Sequence, residues 1–348
     1  MRRQDRQAGR TTRRTFLAGI GGTAGGALLA GCIGDGGSDD SNDDSNRDDT
    51  GDDGPGGETG DDGETAESRL PDGPVPETCP AYDGVDRVVC YDAIADVTDA
   101  VDAFLDPSGR TLTSRESVEF TLRNGSEHTL YTNFYDWNVH KHVGGEWHHV
   151  APRAVNQPLM MVPGGESHTW TVTVDNGDIE DGEPVPRVSA TEDVALAGLG
   201  GGHYAFRARG TLEGHEDELA FAATFEFDAE PIALTPTNAV ETTYWDGETL
   251  VAESSRGNPD GEYDRLGAYE LSRVDTPLEK ARTVITEQVL RNEQLRDTLA
   301  LAHQYDADAV RLEEYDGTRP IFGSRTDGVV AFQGERFEVT TRELTEEE

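Results

Sequence analysis

The sequence predicts a mainly β protein, an antiparallel β-sandwich followed by a small α+β domain with one long helix. Two observations lead to this fold class. Short segments alternate apolar and polar residues with a period of two, as at Val118, Phe120 and Leu122, and Gly, Pro and Asn-Gly turns separate them. Beyond residue 270 the apolar spacing changes to that of a helix. We therefore place the sandwich at residues 70–230 and the α+β domain at residues 231–348.

The first residues predict export and membrane attachment. Arg13 and Arg14 lie in a basic segment, and the Gly-rich apolar run that comes after it is too short to span a bilayer. The arginine pair with Phe16 resembles the twin-arginine export signal, and the Leu-Ala-Gly-Cys sequence ending at Cys32 resembles a lipobox. The resemblance implies that residues 1–32 are a lipoprotein signal peptide. Lipid on Cys32 would then hold the protein on the extracellular face of the cell membrane.

The segment after Cys32 is a predicted spacer. Residues 33–69 consist almost wholly of Gly, Asp, Ser, Asn, Thr and Glu, so they lack the apolar side chains that a folded core needs. We expect a disordered acidic linker that lifts the folded part off the membrane. Cys79 and Cys90 then form a cysteine pair in the exported portion, and a disulfide between them is the expected state. A redox or metal-binding pair is the alternative, but Cys-x-x-Cys spacing is absent.

Composition limits the partners. The 348-residue chain has a formal net charge of −40 at pH 7, and Lys141 and Lys280 are its only lysines. This charge repels phosphate backbones, so we expect no nucleic-acid partner. A diffuse excess of Asp and Glu with so few lysines resembles the proteins of extreme halophiles, and we interpret the acidity as adaptation to concentrated salt. A dedicated cation site is the alternative, but no calcium loop of the Asp-x-Asp-x-Asp-Gly type is present.

The elements of the sandwich are predicted in chain order. Ile94, Val97, Val101 and Phe104 have helical spacing, which predicts a short packing helix or the start of a strand. Period-two alternation and turn residues then predict a series of strands. These strands are expected at about residues 118–124, 129–134, 138–143, 146–150, 159–162, 168–174, 204–209 and 220–227.

Several motifs in this region resemble a known family. They are the Val118 strand ending in Asn124, the Gly-Glu-Trp hairpin at Trp147, the Pro-Gly-Gly-Glu-Ser turn before Trp170, and Gly-His-Tyr-Ala-Phe at Tyr204. Their order resembles exported bacterial and archaeal immunoglobulin-like domains, including the BsuPI-like proteinase inhibitors. The resemblance implies an immunoglobulin-like sandwich and offers proteinase inhibition as one function. A Gly-, Asp- and Pro-rich insert at about residues 175–201 departs from that pattern.

The hairpin around two central glycines carries three candidate metal ligands. A two-residue turn there pairs His140 with His149 and His142 with Trp147, which places all four side chains on one face. Three imidazoles on an exposed face can bind zinc or copper. The alternative, which we favour, is a polar outer face that happens to use histidine. The opposite face is apolar and predicted to point inward, with Trp137, Val139, Val143 and Val150.

The C-terminal domain is predicted from hairpins and a helix. Strands are expected at residues 240–245 and 249–252 about an Asp-Gly turn, at 269–271, at 310–312, and in a last hairpin at 329–332 and 337–341. Thr276 and the Pro that follows it have the pattern of a helix start. From there one helix is predicted to about Tyr305, and its apolar stripe is interpreted as core. The stripe consists of Leu278, Ala281, Ile285, Val289, Leu295, Leu299 and Ala302.

The sequence offers no catalytic motif. It contains no Gly-x-Ser-x-Gly elbow, no phosphate-binding glycine loop and no His-Glu-x-x-His. We therefore expect a non-catalytic binding or interaction module that needs no cofactor, attached to the membrane through Cys32, with surface-layer or envelope proteins as candidate partners. The alternatives are a proteinase inhibitor of BsuPI-like type and a metal- or solute-binding lipoprotein, the former with an inhibitory loop that the sequence does not locate.

Overall fold

The computed structural model describes residues 69–71, 75, 77–94, 101–275, 277, 280–324 and 326–345. All of these residues belong to one compact unit, Glu64–Glu348. Arg13 and Arg14 of the predicted export signal, the predicted lipidation residue Cys32 and the predicted linker up to residue 68 lie outside the described residues. Export, lipid attachment and the spacer therefore stay predictions from the sequence. Among the described helices, none is long and apolar enough to cross a bilayer.

Strands dominate the described part of the chain up to residue 228. The segments predicted there from period-two alternation all contain strands, which confirms a mainly β fold. In chain order the elements are β1 (Arg87–Cys90), α1 (Tyr91–Ile94), β2 (Ala103–Pro107), β3 (Thr111–Thr113), β4 (Ser117–Asn124), β5 (Leu130–Thr132), β6 (Asn138–Val143), β7 (Glu146–Ala151), β8 (Met160–Val162), β9 (Ser167–Val174), α2 (Gly177–Glu180), β10 (Asp193–Leu196), β11 (Gly202–Leu212) and β12 (Leu219–Asp228).

These strands form two sheets that share one core. Within the described residues, β1, β3, β5, β6, β7, β8, β11 and β12 make an eight-stranded sheet, and β10-β9-β4-β2 is the order of a four-stranded sheet. Phe120 of β4 stacks on Phe206 of β11 with 4.6 Å between ring centroids, and Trp170 of β9 lies 5.7 Å from the same ring. All three side chains are fully buried. The apolar sides of the alternating strands therefore meet between the two sheets.

The expectation of a purely antiparallel sandwich is wrong at three pairs of described strands. β1 and β3 both pair with β12 in parallel, and β10 pairs with β9 in parallel. The partners in each pair lie far apart in the chain or are joined by a long crossover, so no hairpin turn announces the pairing. β10 also lies inside the segment at 175–201 that we expected to be an insert. The strand alternative for Phe104 is confirmed, because this residue lies in β2, whereas Val97 lies outside the described residues.

The C-terminal part contains a further sheet covered by helices. Its elements are β13 (Val240–Asp246), β14 (Thr249–Ser254), β15 (Arg265–Arg273), β16 (Arg282–Thr283), α3 (Thr286–Val289), α4 (Glu293–Tyr305), β17 (Ala309–Asp316), β18 (Gly328–Phe332) and β19 (Glu335–Glu343). Within the described residues, the sheet order is β13-β14-β17-β15-β19-β18-β16. Helix α4 packs on this sheet and contributes Leu295, Leu299 and Ala302 to their common hydrophobic cluster. The predicted core role of these stripe residues is therefore confirmed.

The described residues between Thr276 and Tyr305 do not form the single long helix that we expected. The segment before α3 is extended, and β16 pairs in parallel with β18. Four consecutive β-branched residues follow Arg282, and such residues favour extended backbone over helix. Asn292 then interrupts the helical stretch. Its backbone is extended and its side chain accepts a hydrogen bond from the Leu295 N–H, which starts α4 as a separate helix. Thr276 and Leu278 themselves lie outside the described residues.

The predicted disulfide is confirmed. Cys79 and Cys90 are bonded, with Cα atoms 6.2 Å apart. The bond joins the segment that enters the fold to the end of β1, and both cysteines are buried against Ala222 of β12. This attachment fixes the entry segment, which includes Tyr82, against the outer side of the eight-stranded sheet.

Candidate functional site

The β6–β7 hairpin has the register predicted from its two-glycine turn. His140 pairs with His149 and His142 with Trp147, and the ring centroids are 5.2 and 5.0 Å apart. Both glycines have positive φ, 64° and 89°, as a tight two-residue turn requires. The four side chains therefore occupy one side of the hairpin, as expected.

The prediction that this side is an open outer face is wrong at His140. The Tyr82 ring packs edge-on against the His140 ring at 5.1 Å, and the Arg207 guanidinium lies 5.2 Å from the Tyr82 ring centre. The His140 Nδ1 atom is buried and has no hydrogen-bond partner among the described residues. Burial, with His149 and Arg207 nearby, lowers the pKa of His140 to about 3. The disulfide-bonded entry segment therefore covers this part of the sheet and keeps His140 neutral.

The three histidines do not converge on one point. Within the described residues, the one group of three potential ligand atoms closer than 4.8 Å is Cys79, Cys90 and Asp92, whose two sulfurs already form the disulfide. His142 lies against Trp147, and the positive charge of Arg207 near the other two histidines opposes a cation there. Zinc or copper at His140, His142 and His149 stays a prediction.

The opposite side of β6 carries a buried ion pair that sequence reasoning missed. The Lys141 Nζ lies 2.5 Å from Oε1 of Glu287 in α3, and it donates to the Gly200 carbonyl at 3.3 Å. The same Glu287 oxygen accepts from the Gly200 N–H at 3.1 Å, and it lies 3.4 Å from the Tyr204 hydroxyl, which donates to the Gly200 carbonyl at 2.6 Å. Both charged side chains are buried. The pair therefore links the sandwich strands β6 and β11 to the helical segment of the C-terminal part.

Arg291 lies one turn beyond Glu287 and is half-buried. Its Nη1 donates to the carbonyls of Gly198 and Glu287 at 3.0 and 2.7 Å, and its Nη2 donates to the Ala197 carbonyl at 2.6 Å. Burial lowers the pKa of Arg291 to about 10, so the guanidinium remains charged at neutral pH. Backbone carbonyls satisfy its donors but do not neutralise its charge. The Glu287 carboxylate nearby is already paired with Lys141.

A cleft opens beside Arg291, between the end of β7 and helices α3 and α4. Its volume is about 190 Å³. The Gln288 side-chain amide donates to the His149 carbonyl at 2.9 Å and holds α3 against β7 at one wall. Three apolar side chains complete the lining, and no Asp or Glu contributes to it. The polar lining consists of His149, Arg153, Arg282, Gln288, Arg291 and Asn292.

The cleft is basic although the chain is strongly acidic. Arg153 and Arg282 are exposed, and neither forms an ion pair with a carboxylate among the described residues. Arg153 donates instead to the Arg291 carbonyl. Burial, and then the charges of Arg207 and Arg291, lower the pKa of His149, which favours its neutral form. Three guanidinium groups without carboxylate partners therefore surround a small open volume.

Sequence reasoning found the histidines but not the arginines. Arg153, Arg282 and Arg291 lie far apart in the chain, and each has the sequence context of an ordinary surface residue. The sequence does mark Lys141 as unusual. It is one of only two lysines, and it lies between Val139 and Val143 on the strand face that is predicted to point inward. That signal identifies the ion pair but says nothing about the cleft.

Neither the known family models nor the curated proteins give a match to this chain. A function for the protein therefore has to be inferred from the geometry of the cleft and from the sequence motifs.

Proposed function

We propose that the protein is a non-catalytic binding module that captures a small solute at the outer face of the cell membrane. The arginine cleft is the observation that carries this proposal. Concave sites with a few convergent polar groups are where proteins bind small molecules. About 190 Å³ is below the ~300–1,000 Å³ typical of drug-sized ligands, so the cleft suits a compact solute.

A binding role fits the cleft better than a catalytic one. Its lining residues include no Ser, Cys, Asp or Glu, so it offers no nucleophile paired with a base and no pair of carboxylates. His149 is the one lining imidazole, and its lowered pKa favours the neutral form. Arginine and amide side chains hold a ligand without changing it.

The proposal also includes a lipid anchor outside the cell and an immunoglobulin-like fold for residues 70–230. The arginine pair before Phe16 and the lipobox-like sequence at Cys32 support export and a lipid anchor, and the carboxylate-rich composition supports life in concentrated salt. Two sheets that share one core support an immunoglobulin-like identity for residues 70–230. The parallel strand pairs at the sheet edges are a departure from the usual pattern of that fold.

The binding role is tested by a solute screen on the full chain purified in detergent. The panel contains sugars, amino acids, organic acids and phosphate, with NaCl of equal ionic strength as the control. A solute that binds raises the melting temperature, since a ligand at 100 times its Kd stabilises a protein by about 2.7 kcal/mol. Hydrogen exchange then locates the site. We expect protection in β7 and around α3. A panel without any stabilising solute, or protection elsewhere, contradicts the proposal.

The membrane anchor is tested separately with Cys32→Ser. We expect this variant to leave the membrane fraction and appear in the medium, because lipid on Cys32 is the proposed attachment. If the variant remains fully membrane-bound in high salt, the lipid attachment proposed for this residue is wrong.

A further inference from the structure

We propose that the solute bound in the cleft is a small oxyanion, a carboxylate or a phosphate, held by the guanidinium groups of Arg153 and Arg282. This inference rests on the proposed binding function and names its ligand class. It comes from the charge balance of the cleft, the donors that remain free there, and its size.

The charge balance is the first step. Elsewhere in the described chain, arginines are commonly paired with acids: Arg256 binds both Asp297 and Glu314 at 2.7 Å. In a chain with 69 acidic residues, such pairing is the expected state of an arginine. The three arginines of the cleft form no such pair among the described residues. Their charges therefore add up, and an anion entering the cleft meets a local field opposite in sign to that of the whole protein.

The buried neighbours make the local excess of positive charge larger. Glu287 is the nearest buried carboxylate, and Lys141 already neutralises it at 2.5 Å. Arg291 lies near the same carboxylate, so Lys141 and Arg291 together exceed it by one positive charge, although carbonyl oxygens of Ala197 and Gly198 accept the hydrogen bonds of Arg291. A bound anion compensates this excess. Arg291, whose hydrogen bonds go to backbone carbonyls, acts through its charge and does not need to touch the ligand.

The free donors are the second step. The Arg282 side chain forms no hydrogen bond or ion pair among the described residues, and for Arg153 one such bond is found there, from Nη1 to the Arg291 carbonyl. A guanidinium presents two parallel N–H groups that match the geometry of a carboxylate or phosphate. Asn292 also lines the cleft and begins the 13-residue helix α4, whose N-terminal end carries a partial positive charge.

The size is the third step. A cleft of about 190 Å³ is large enough for an inorganic ion or a short organic acid and too small to enclose a nucleotide or a peptide. Concentrated chloride competes for such a site, but a single spherical ion cannot accept two parallel, linear N–H bonds from a guanidinium as the two oxygens of a carboxylate or phosphate do. Selectivity for oxyanions over chloride is therefore the property expected of this geometry.

The experiment is calorimetric titration of the full chain in detergent with inorganic phosphate, sulfate and succinate, at low and at high NaCl. Phosphate against succinate distinguishes the two sources of oxyanion. The variants are Arg153→Gln and Arg282→Gln, both at exposed positions. The matched control is Arg319→Gln, which removes the same charge from an exposed arginine that also donates to backbone carbonyls but lines no part of the cleft.

We expect at least one anion to bind, each cleft variant to weaken its affinity by about 10- to 100-fold, and the control to bind as the wild type does. That range is the usual effect of losing a charged hydrogen bond. Two results overturn the inference: no anion binds the wild type with a Kd below about 10 mM, or the cleft variants bind as tightly as the control. If an uncharged solute of the panel protects the cleft while all three anions fail, the inference falls and the binding function stands. If no solute binds at all, both fall.

Discussion

Replacing Lys141 by Met tests whether the buried ion pair holds the two parts of the fold together. The substitution keeps the length and the apolar stem of the side chain but removes its charge. It leaves Glu287, whose side chain is 4% exposed, as a buried carboxylate without its cation. Breaking a buried ion pair by removing one partner typically costs about 3–5 kcal/mol, because the remaining charge is still desolvated.

The structure indicates the lower end of that range. Glu287 keeps its hydrogen bond from the Gly200 N–H, and the charge of Arg291 remains close by. We therefore expect Lys141→Met to lower the free energy of unfolding by about 3 kcal/mol. Adding Glu287→Gln removes the unpaired charge and keeps an oxygen that accepts the Gly200 N–H. The double variant should recover most of the loss.

The assay is denaturant unfolding of the full chain, with the four members of a double-mutant cycle. Lys280→Met is the matched control, because Lys280 is the other lysine of the chain and is exposed, so its substitution should change the free energy by less than about 0.5 kcal/mol. The ion pair does not stabilise the fold if Lys141→Met costs less than about 1 kcal/mol. The same conclusion follows if adding Glu287→Gln recovers none of the loss.

Three further predictions concern the sandwich and the helix. The pKa of His140 falls from 6.5 to about 3 on folding, so stability is fully present above pH 6.5 and is lost as the pH falls toward 3. Between pH 6.5 and 5 the wild type should lose about 2 kcal/mol more than His140→Phe does in denaturant titrations, and equal losses contradict the buried neutral state. Asn292→Ala removes the cap of α4 and should cost about 1 kcal/mol, measured the same way; an unchanged midpoint shows that the cap is not needed. Reduction of the Cys79–Cys90 bond should cost about 2–3 kcal/mol and increase hydrogen exchange around Tyr82, whereas unchanged exchange there means that the bond does not fix the entry segment.

The hairpin at β6 and β7 shows what the sequence predicts well. Its register comes from two adjacent glycines and from alternation over six residues on each side, and both signals are local. The same is true of the disulfide between Cys79 and Cys90, since few other pairings are available. Elements defined by their own turns and periodicity were therefore placed correctly.

The features that differ from the sequence predictions depend on contacts between residues far apart in the chain. The pairing of β10 with β9 and of β1 with β12 depends on which strand edge is left open after the rest has folded, and no local pattern encodes that choice. The burial of His140 depends on Tyr82, which the disulfide brings over the sheet. α3 and α4 do not merge into the expected long helix, because the Asn292 side chain caps a new helix more readily than it continues an old one.

The cleft is the clearest example of a feature that no local sequence pattern encodes. Its arginines come from the residue after a cis proline at the end of β7, from β16, and from the turn between α3 and α4. None of the three is unusual in a chain whose basic residues are almost all arginine. Only the fold shows that three of them lack acidic partners and surround the same volume. A ligand site built from ordinary residues in separate elements cannot be recognised from spacing alone.

Anion binding in the cleft is tested most directly by NMR of the arginine side chains in the full chain during titration with phosphate. The Nε–Hε signals of Arg153, Arg282 and Arg319 are assigned from the three Arg→Gln variants. We expect the signals of Arg153 and Arg282 to shift together along one saturation curve, while the signal of Arg319 stays in place. If all three signals move alike, or none of them moves with phosphate or succinate, the cleft is not an oxyanion site.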